Sequence, residues 1–105
     1  TRTFCYVTDA ITAMFIVTLV GKTFVYNIGN SSPELNMIKL HSIMGKSLKK
    51  KIKAININYP KNYPQVEPQR RRPDISKLSK EFGFKNRVTI NDAIRRFYKW
   101  TSKNY

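Results

Sequence analysis

Glycine is scarce in this 105-residue chain. The four present, Gly21, Gly29, Gly45 and Gly83, stand too far apart for a G-x-G-x-x-G turn or a phosphate-cradling P-loop. Cysteine occurs once, as Cys5, which excludes an intrachain disulfide. With one cysteine and one histidine, His41, a zinc site of Cys/His type is excluded as well. The six acidic residues are scattered, so no close carboxylate pair offers general acid/base chemistry. No tyrosine is followed by lysine four residues later, which removes a Tyr-x-x-x-Lys proton relay. His41 falls on a helical stripe, where a packed or half-exposed ring is expected. Cys5, flanked by aromatics, is expected to be an inert thiol. No catalytic centre is legible. The longest apolar run, Ala10 to Val20, is interrupted by Thr12 and Thr18 and falls short of the ~20 residues that span a bilayer. No charged leader with an apolar core opens the chain, so a cytoplasmic location with no membrane contact is the expectation.

What is present suffices for one domain over residues 1–105. Hydrophobic residues make up 41% and aromatics 12%, too much for a disordered tail. The run from Ala10 to Val20 is apolar nearly all round, so one packed face would not cover it. A partner surface, either another part of a larger protein or a second copy, is implied. The net charge is +14 and unevenly placed: residues 1–45 carry three basic against two acidic groups, residues 46–105 seventeen against four. A basic half of this kind favours polyanions, although scattered lysines such as Lys46, Lys49 and Lys53 read as a solvated surface.

Local patterning predicts an α/β lobe in the order β-α-β-α-β-loop-α-α. Residues 2–7, "RTFCYV", read as a strand. "TDAITAMFIVTLV" follows as a helix capped by Thr8 or Asp9 and stopped by Gly21. Residues 23–29, "TFVYNIG", read as a second strand. Asn36 caps a second helix that Gly45 closes, and residues 51–59 alternate as a half-buried strand. Pro60, Pro64, Pro68 and Pro73 force an extended segment. Asp74 caps a short helix ended by Gly83. Thr89 and Asp92 form a capping box on a last helix, whose stripe of Ile90, Ala93, Ile94, Phe97 and Trp100 is assigned to the core.

The arginines are the positive feature. Arg2 opens the first strand, and Arg70, Arg71 and Arg72 stand between two prolines in "PQRRRPD". A residue before proline avoids the helical region, and neighbouring side chains of an extended chain alternate. Arg71 therefore points away from Arg70 and Arg72. One face can hold a ligand while the other meets solvent or Glu67. Arginine suits phosphate, because its planar fork makes two parallel hydrogen bonds. An exposed basic turn is the equally weighted alternative.

The segments "RTFCYVTDAITAM", "VYNIGN", "PELNM", "PQRRRPDISK" and "EFGFKNRVTINDAIRRF" come in the order found near the C-terminus of extended short-chain dehydrogenases acting on nucleotide sugars. The chain resembles the NAD-dependent epimerase/dehydratase family. Arg2, Tyr6, Val7 and Asp9 match its Arg-x-x-x-Tyr-Val-x-Asp pattern, and Tyr26, Asn27 and Gly29 match its Tyr-Asn-x-Gly. "RRRPDISK" looks most like the UDP-glucuronate decarboxylase branch, with Arg71 three residues before the Pro-Asp aspartate. The resemblance implies a C-terminal, nucleotide-sugar-binding lobe without its Rossmann half. It implies that Arg2 and Arg71, and more weakly Arg70, hold the diphosphate of a sugar nucleotide. NAD is expected in the complete enzyme and no cofactor in this piece; the implied parent is a decarboxylase, dehydratase or epimerase. The implied partners are the sugar nucleotide and either the missing Rossmann half or another copy of the chain.

Two other readings stand beside it. One is a basic nucleic-acid-binding module with Tyr59, Tyr63 and Tyr98 as stacking platforms. It is disfavoured, because Phe97 and Trp100 are assigned to the core stripe and no reading motif is found. The other is a non-catalytic remnant that associates through the apolar helix over residues 9–20.

Overall fold

The structure, a computed structural model, describes residues 1–22, 25–63 and 66–105. Four helices carry the architecture: α1 (Val7–Val20), α2 (Met37–Leu48), α3 (Ser76–Phe82) and α4 (Ile90–Asn104). The three predicted strands are not formed among the described residues. Thr23 and Phe24, where the second was expected to begin, lie outside them, as does Pro64 of the proline-spaced run. What remains of the sheet is two isolated bridges, Arg2 antiparallel to Leu35 and Arg2 parallel to Arg71. A strand exists through its ladder, and β-prone residues with no neighbouring backbone stay extended but unpaired. In the 51–59 segment, predicted to be half-buried, Ile55, Ile57 and Tyr59 are 74%, 85% and 77% exposed.

The helix ends follow the local chemistry more closely. The Asn36 side chain accepts from the Lys39 N–H at 2.8 Å, as a cap should. The Thr89 hydroxyl accepts from the Asp92 N–H at 3.2 Å and donates to its carboxylate at 2.9 Å. Gly83 ends α3 at φ +64°, a left-handed conformation that glycine adopts without steric cost. The Asp74 carboxylate accepts from the Ser76 N–H at 2.9 Å just before α3. Two expected ends move. α1 begins one residue earlier than its predicted cap, with Tyr6 flanking it and no side-chain cap. Asp9 does not cap the helix. Its buried carboxylate instead accepts from the N–H groups of Arg87 and Val88 at 3.1 and 3.0 Å, tying the start of α1 to the approach to α4. α2 runs through Gly45 and closes at Lys49, whose φ is 51°.

The core is small. Ala13, Leu78 and Phe84 are its buried members, with Ile16, Val17, Tyr26, Ile28 and Phe82 packed around them. It thus lies between the inner face of α1, α3 and the 26–28 segment. A second contact joins α2 to α4, where the Ser47 hydroxyl donates to Asn91 at 2.9 Å. The radius of gyration is 16.4 Å, well above the ~13 Å of a compact chain of this length. The excess appears as exposed apolar surface. On the outer face of α1, Val7, Phe15 and Leu19 are 57%, 63% and 77% exposed. Phe97 and Trp100, expected in the core, are 61% and 53% exposed on the edge of α4 and stack on each other instead. Their placement therefore no longer weighs against a nucleic-acid partner.

Candidate functional site

The two arginine segments, distant in sequence, are brought together by the backbone. Residues 1–3 lie between two neighbours. On one side Arg2 exchanges hydrogen bonds with Leu35, both at 2.8 Å. On the other, the Arg71 N–H donates to the Thr1 carbonyl at 2.9 Å and the Thr3 N–H to the Arg71 carbonyl at 3.1 Å. Three polar or steric stitches hold this arrangement. Asn27 donates to the Asp74 carbonyl at 3.0 Å, and Asn30 to the Phe4 carbonyl at 3.3 Å. Gly29 touches the ring of Pro73 so closely that an added Cβ would sit 2.7 Å from Cγ. The Tyr-Asn-x-Gly stretch thus has a structural role. It clamps the segment before α1 against the one before α3. Tyr26 completes it by donating to Glu81 at 2.6 Å and carrying Lys77 over its ring, 4.3 Å from the centroid.

The side chains alternate as an extended chain requires. Arg2 donates to the Glu67 carboxylate, and the Arg71 Nη2 lies 3.6 Å from the same oxygen, Oε1. The two guanidinium groups therefore converge on one anionic atom. Arg70 turns the other way. It meets Glu34 as a two-pronged fork, Nε to Oε1 and Nη2 to Oε2, each 2.8 Å. Thr1 also donates to Glu34 through its hydroxyl. Arg72 forms no ion pair among the described residues. All three consecutive arginines border an open cleft of about 620 Å³, together with Thr3, Gly29 and Asn30. Arg2 is not on its wall.

Sequence reasoning named Glu67 only as an alternative to solvent and missed Glu34. The latter is 36 residues from Arg70, and no local spacing signals the pair. Cys5, also on the cleft wall, is half-buried. Burial first, and the Asp9 charge second, push its thiol up, with the Asn86 amide opposing them. It therefore stays protonated, as expected for an inert thiol. His41 is half-buried, with Nε2 3.0 Å from the Ile52 carbonyl.

None of the four glycines opens a helix: Gly21 and Gly83 end helices, Gly45 lies inside one and Gly29 packs on Pro73. No cluster of three or more metal-ligating side chains occurs among the described residues. Nor is any described helix long and apolar enough to cross a membrane.

No family model matches the chain. Its fold resembles part of a solved protein of short-chain-dehydrogenase type, without that type's strands among the described residues. RMD from Pseudomonas aeruginosa, solved in complex with NADPH, superposes on 98% of this chain with a TM-score of 0.71, at 19% identity and over 35% of its own length. By sequence, UDP-glucuronic acid decarboxylase 6 of Arabidopsis thaliana is 32% identical over 95 residues, 90% of this chain and 26% of that protein. UDP-glucuronic acid decarboxylase 3 of the same plant is 32% identical over 94 residues, again 26% of its length. An uncharacterized protein of Methanocaldococcus jannaschii is 31% identical over 108 residues, 98% of this chain and 30% of that one. By sequence the chain is related to the UDP-glucuronic acid decarboxylases, which is consistent with the C-terminal part of the NAD-dependent epimerase/dehydratase family. It spans only 26–30% of the length of these sequence relatives.

The Arg70 fork, followed by the Thr1 hydroxyl, holds the Glu34 carboxyl down at about 2 from an ordinary 4.5. A depressed carboxylate contributes stability that is complete above its unfolded value and lost as pH falls through the folded one. The stability difference between the wild-type chain and Glu34→Gln, from urea titrations across pH, should be constant above about pH 5, fall steadily as pH drops toward about 2, and lose its pH-dependent part only below that. A difference independent of pH would show that the pair contributes nothing through charge.

Proposed function

We propose that this chain is the nucleotide-sugar-binding part of an NAD-dependent nucleotide-sugar decarboxylase, dehydratase or epimerase. Arg2 and Arg71 hold the diphosphate, with Arg70 in a lesser role. The observation that carries this reading is the convergence of the Arg2 and Arg71 guanidinium groups on one carboxylate oxygen. An arrangement that accepts a carboxylate between two guanidinium groups also suits the bridged oxygens of a diphosphate. Arg70 is secondary because its fork is already matched by Glu34. The adjoining cleft, with Thr3, Asn30 and Arg72 on its wall, leaves room for the rest of the ligand. The contribution of these residues is binding and orientation. Hydride and proton chemistry, and the NAD that would carry it, belong to the remainder of the family fold.

The outer face of α1 favours a second, compatible role in association. A continuous apolar face of Val7, Ile11, Met14, Phe15 and Leu19 is left open to water, larger exposure than a monomeric surface normally tolerates. Its occupant is the remainder of the family fold or a second copy of the chain.

Calorimetry with UDP-glucuronate tests the first role. Charge-assisted hydrogen bonds are worth roughly 1.5–3 kcal/mol, less where solvent screens them. Arg71→Ala should therefore bind at least about tenfold more weakly, and unchanged affinity would remove Arg71 from the site. Sedimentation tests the second. The isolated chain should self-associate, and Phe15→Glu should shift it toward monomer. A wild-type chain that is monomeric at tens of micromolar would leave the α1 face without this role.

A further inference from the structure

Glu67 has no part in diphosphate binding as proposed, yet it occupies the point where the ligand would sit. Its Oε1 faces both Arg2 and Arg71. The carboxylate is also the most enclosed of the three groups: its side chain is 24% exposed, against 38% for Arg2 and 52% for Arg71. The anion therefore lies inward and the cations outward. Arg71 is fixed by backbone bonds to residues 1 and 3, and Pro68 limits the freedom of the chain between it and Glu67. Glu34 cannot substitute, because both of its oxygens are taken by Arg70. Arg2, drawn to Glu67, stays off the wall of the cleft that Arg71 borders.

We propose that Glu67 is an internal competitor that makes the arginine pair selective for diphosphates over monophosphates. This rests on the assignment of Arg2 and Arg71 as anion ligands. A ligand must displace the carboxylate before it can bridge the pair. A monophosphate group carries more charge than a carboxylate but gathers it on one phosphorus atom, from which it must reach both guanidinium groups, so the exchange gains less. A diphosphate offers two anionic centres, one for each guanidinium, and the gain of a second charge-assisted contact carries the displacement. Specificity arises from a built-in cost against the wrong ligand as much as from attraction to the right one.

The test uses inorganic pyrophosphate and inorganic phosphate as probes, titrated calorimetrically into the full chain at fixed ionic strength. Lys103→Ala, on α4, is the control for diffuse attraction to a chain of charge +14. The wild-type chain should prefer pyrophosphate by at least about tenfold. Glu67→Gln should bind phosphate about tenfold more tightly and pyrophosphate tighter by less, so that the preference collapses. Glu67→Asp, which keeps the charge but withdraws it by one methylene, should fall between. Arg71→Ala should weaken both probes, and Lys103→Ala should change neither. If Arg71→Ala weakens binding while Glu67→Gln leaves the preference intact, weakens both probes or fails to fold, Glu67 is a brace and the proposal is overturned with the site intact. If Arg71→Ala changes nothing, the assignment of the site itself fails, and the proposal with it.

Discussion

The structure turns on two like charges held side by side by backbone hydrogen bonds. Residues 1–3 pair with Arg71 on one edge and Leu35 on the other, and this leaves the Arg2 and Arg71 side chains on one side of the chain. Two like charges a few ångströms apart repel by about 1 kcal/mol in a water-like dielectric. A carboxylate placed between them offsets that repulsion, though solvent screens both terms. Glu67 therefore settles the local electrostatics. The same geometry that calls for a counter-ion is what the proposed anion site rests on. Arg70, one residue away, finds a different partner in Glu34, although it borders the same cleft. Three consecutive arginines thus serve different ends because an extended backbone alternates its side chains.

The surrounding motif residues act through position. Asn27 holds a carbonyl next to α3, Asn30 holds one before α1, and Gly29 admits Pro73 at a distance no side chain would permit. Asp9 joins the start of α1 to the segment before α4 through two backbone N–H groups. These residues fix the relative placement of segments that carry the arginines. A site that depends on two side chains meeting within hydrogen-bond reach needs this support, since an error of about 1 Å in placement weakens such contacts badly.

The helices were legible because their signals are local. Asn36, Thr89 and Gly83 announce helix ends through chemistry confined to a few residues, and the structure uses each as expected. The strands were not, because a strand depends on a neighbour that no local pattern reveals. Residues 51–59 alternate well and remain exposed for want of a partner backbone. Phe97 and Trp100 show the same limit: helical spacing placed them on one stripe, but they stay open to water, and the neighbouring Tyr98 meets Lys50, just past the end of α2. In the site, alternation separated Arg71 from Arg70 from sequence alone. That Arg2 belongs beside Arg71 came through the family resemblance, and the Arg70–Glu34 pair was invisible because it spans distant segments.

Apolar residues of α1 stand open to water and the net charge is +14 in a chain that spans 26–35% of the length of its relatives. The central claim is that Arg2 and Arg71 act on one anion as a single unit. A double-mutant cycle on pyrophosphate affinity, with Arg2→Ala, Arg71→Ala and both together, measures that directly. Strong non-additivity is predicted, with the double variant binding about as weakly as the worse single one. Losses that simply multiply would show two independent cations and would contradict the claim.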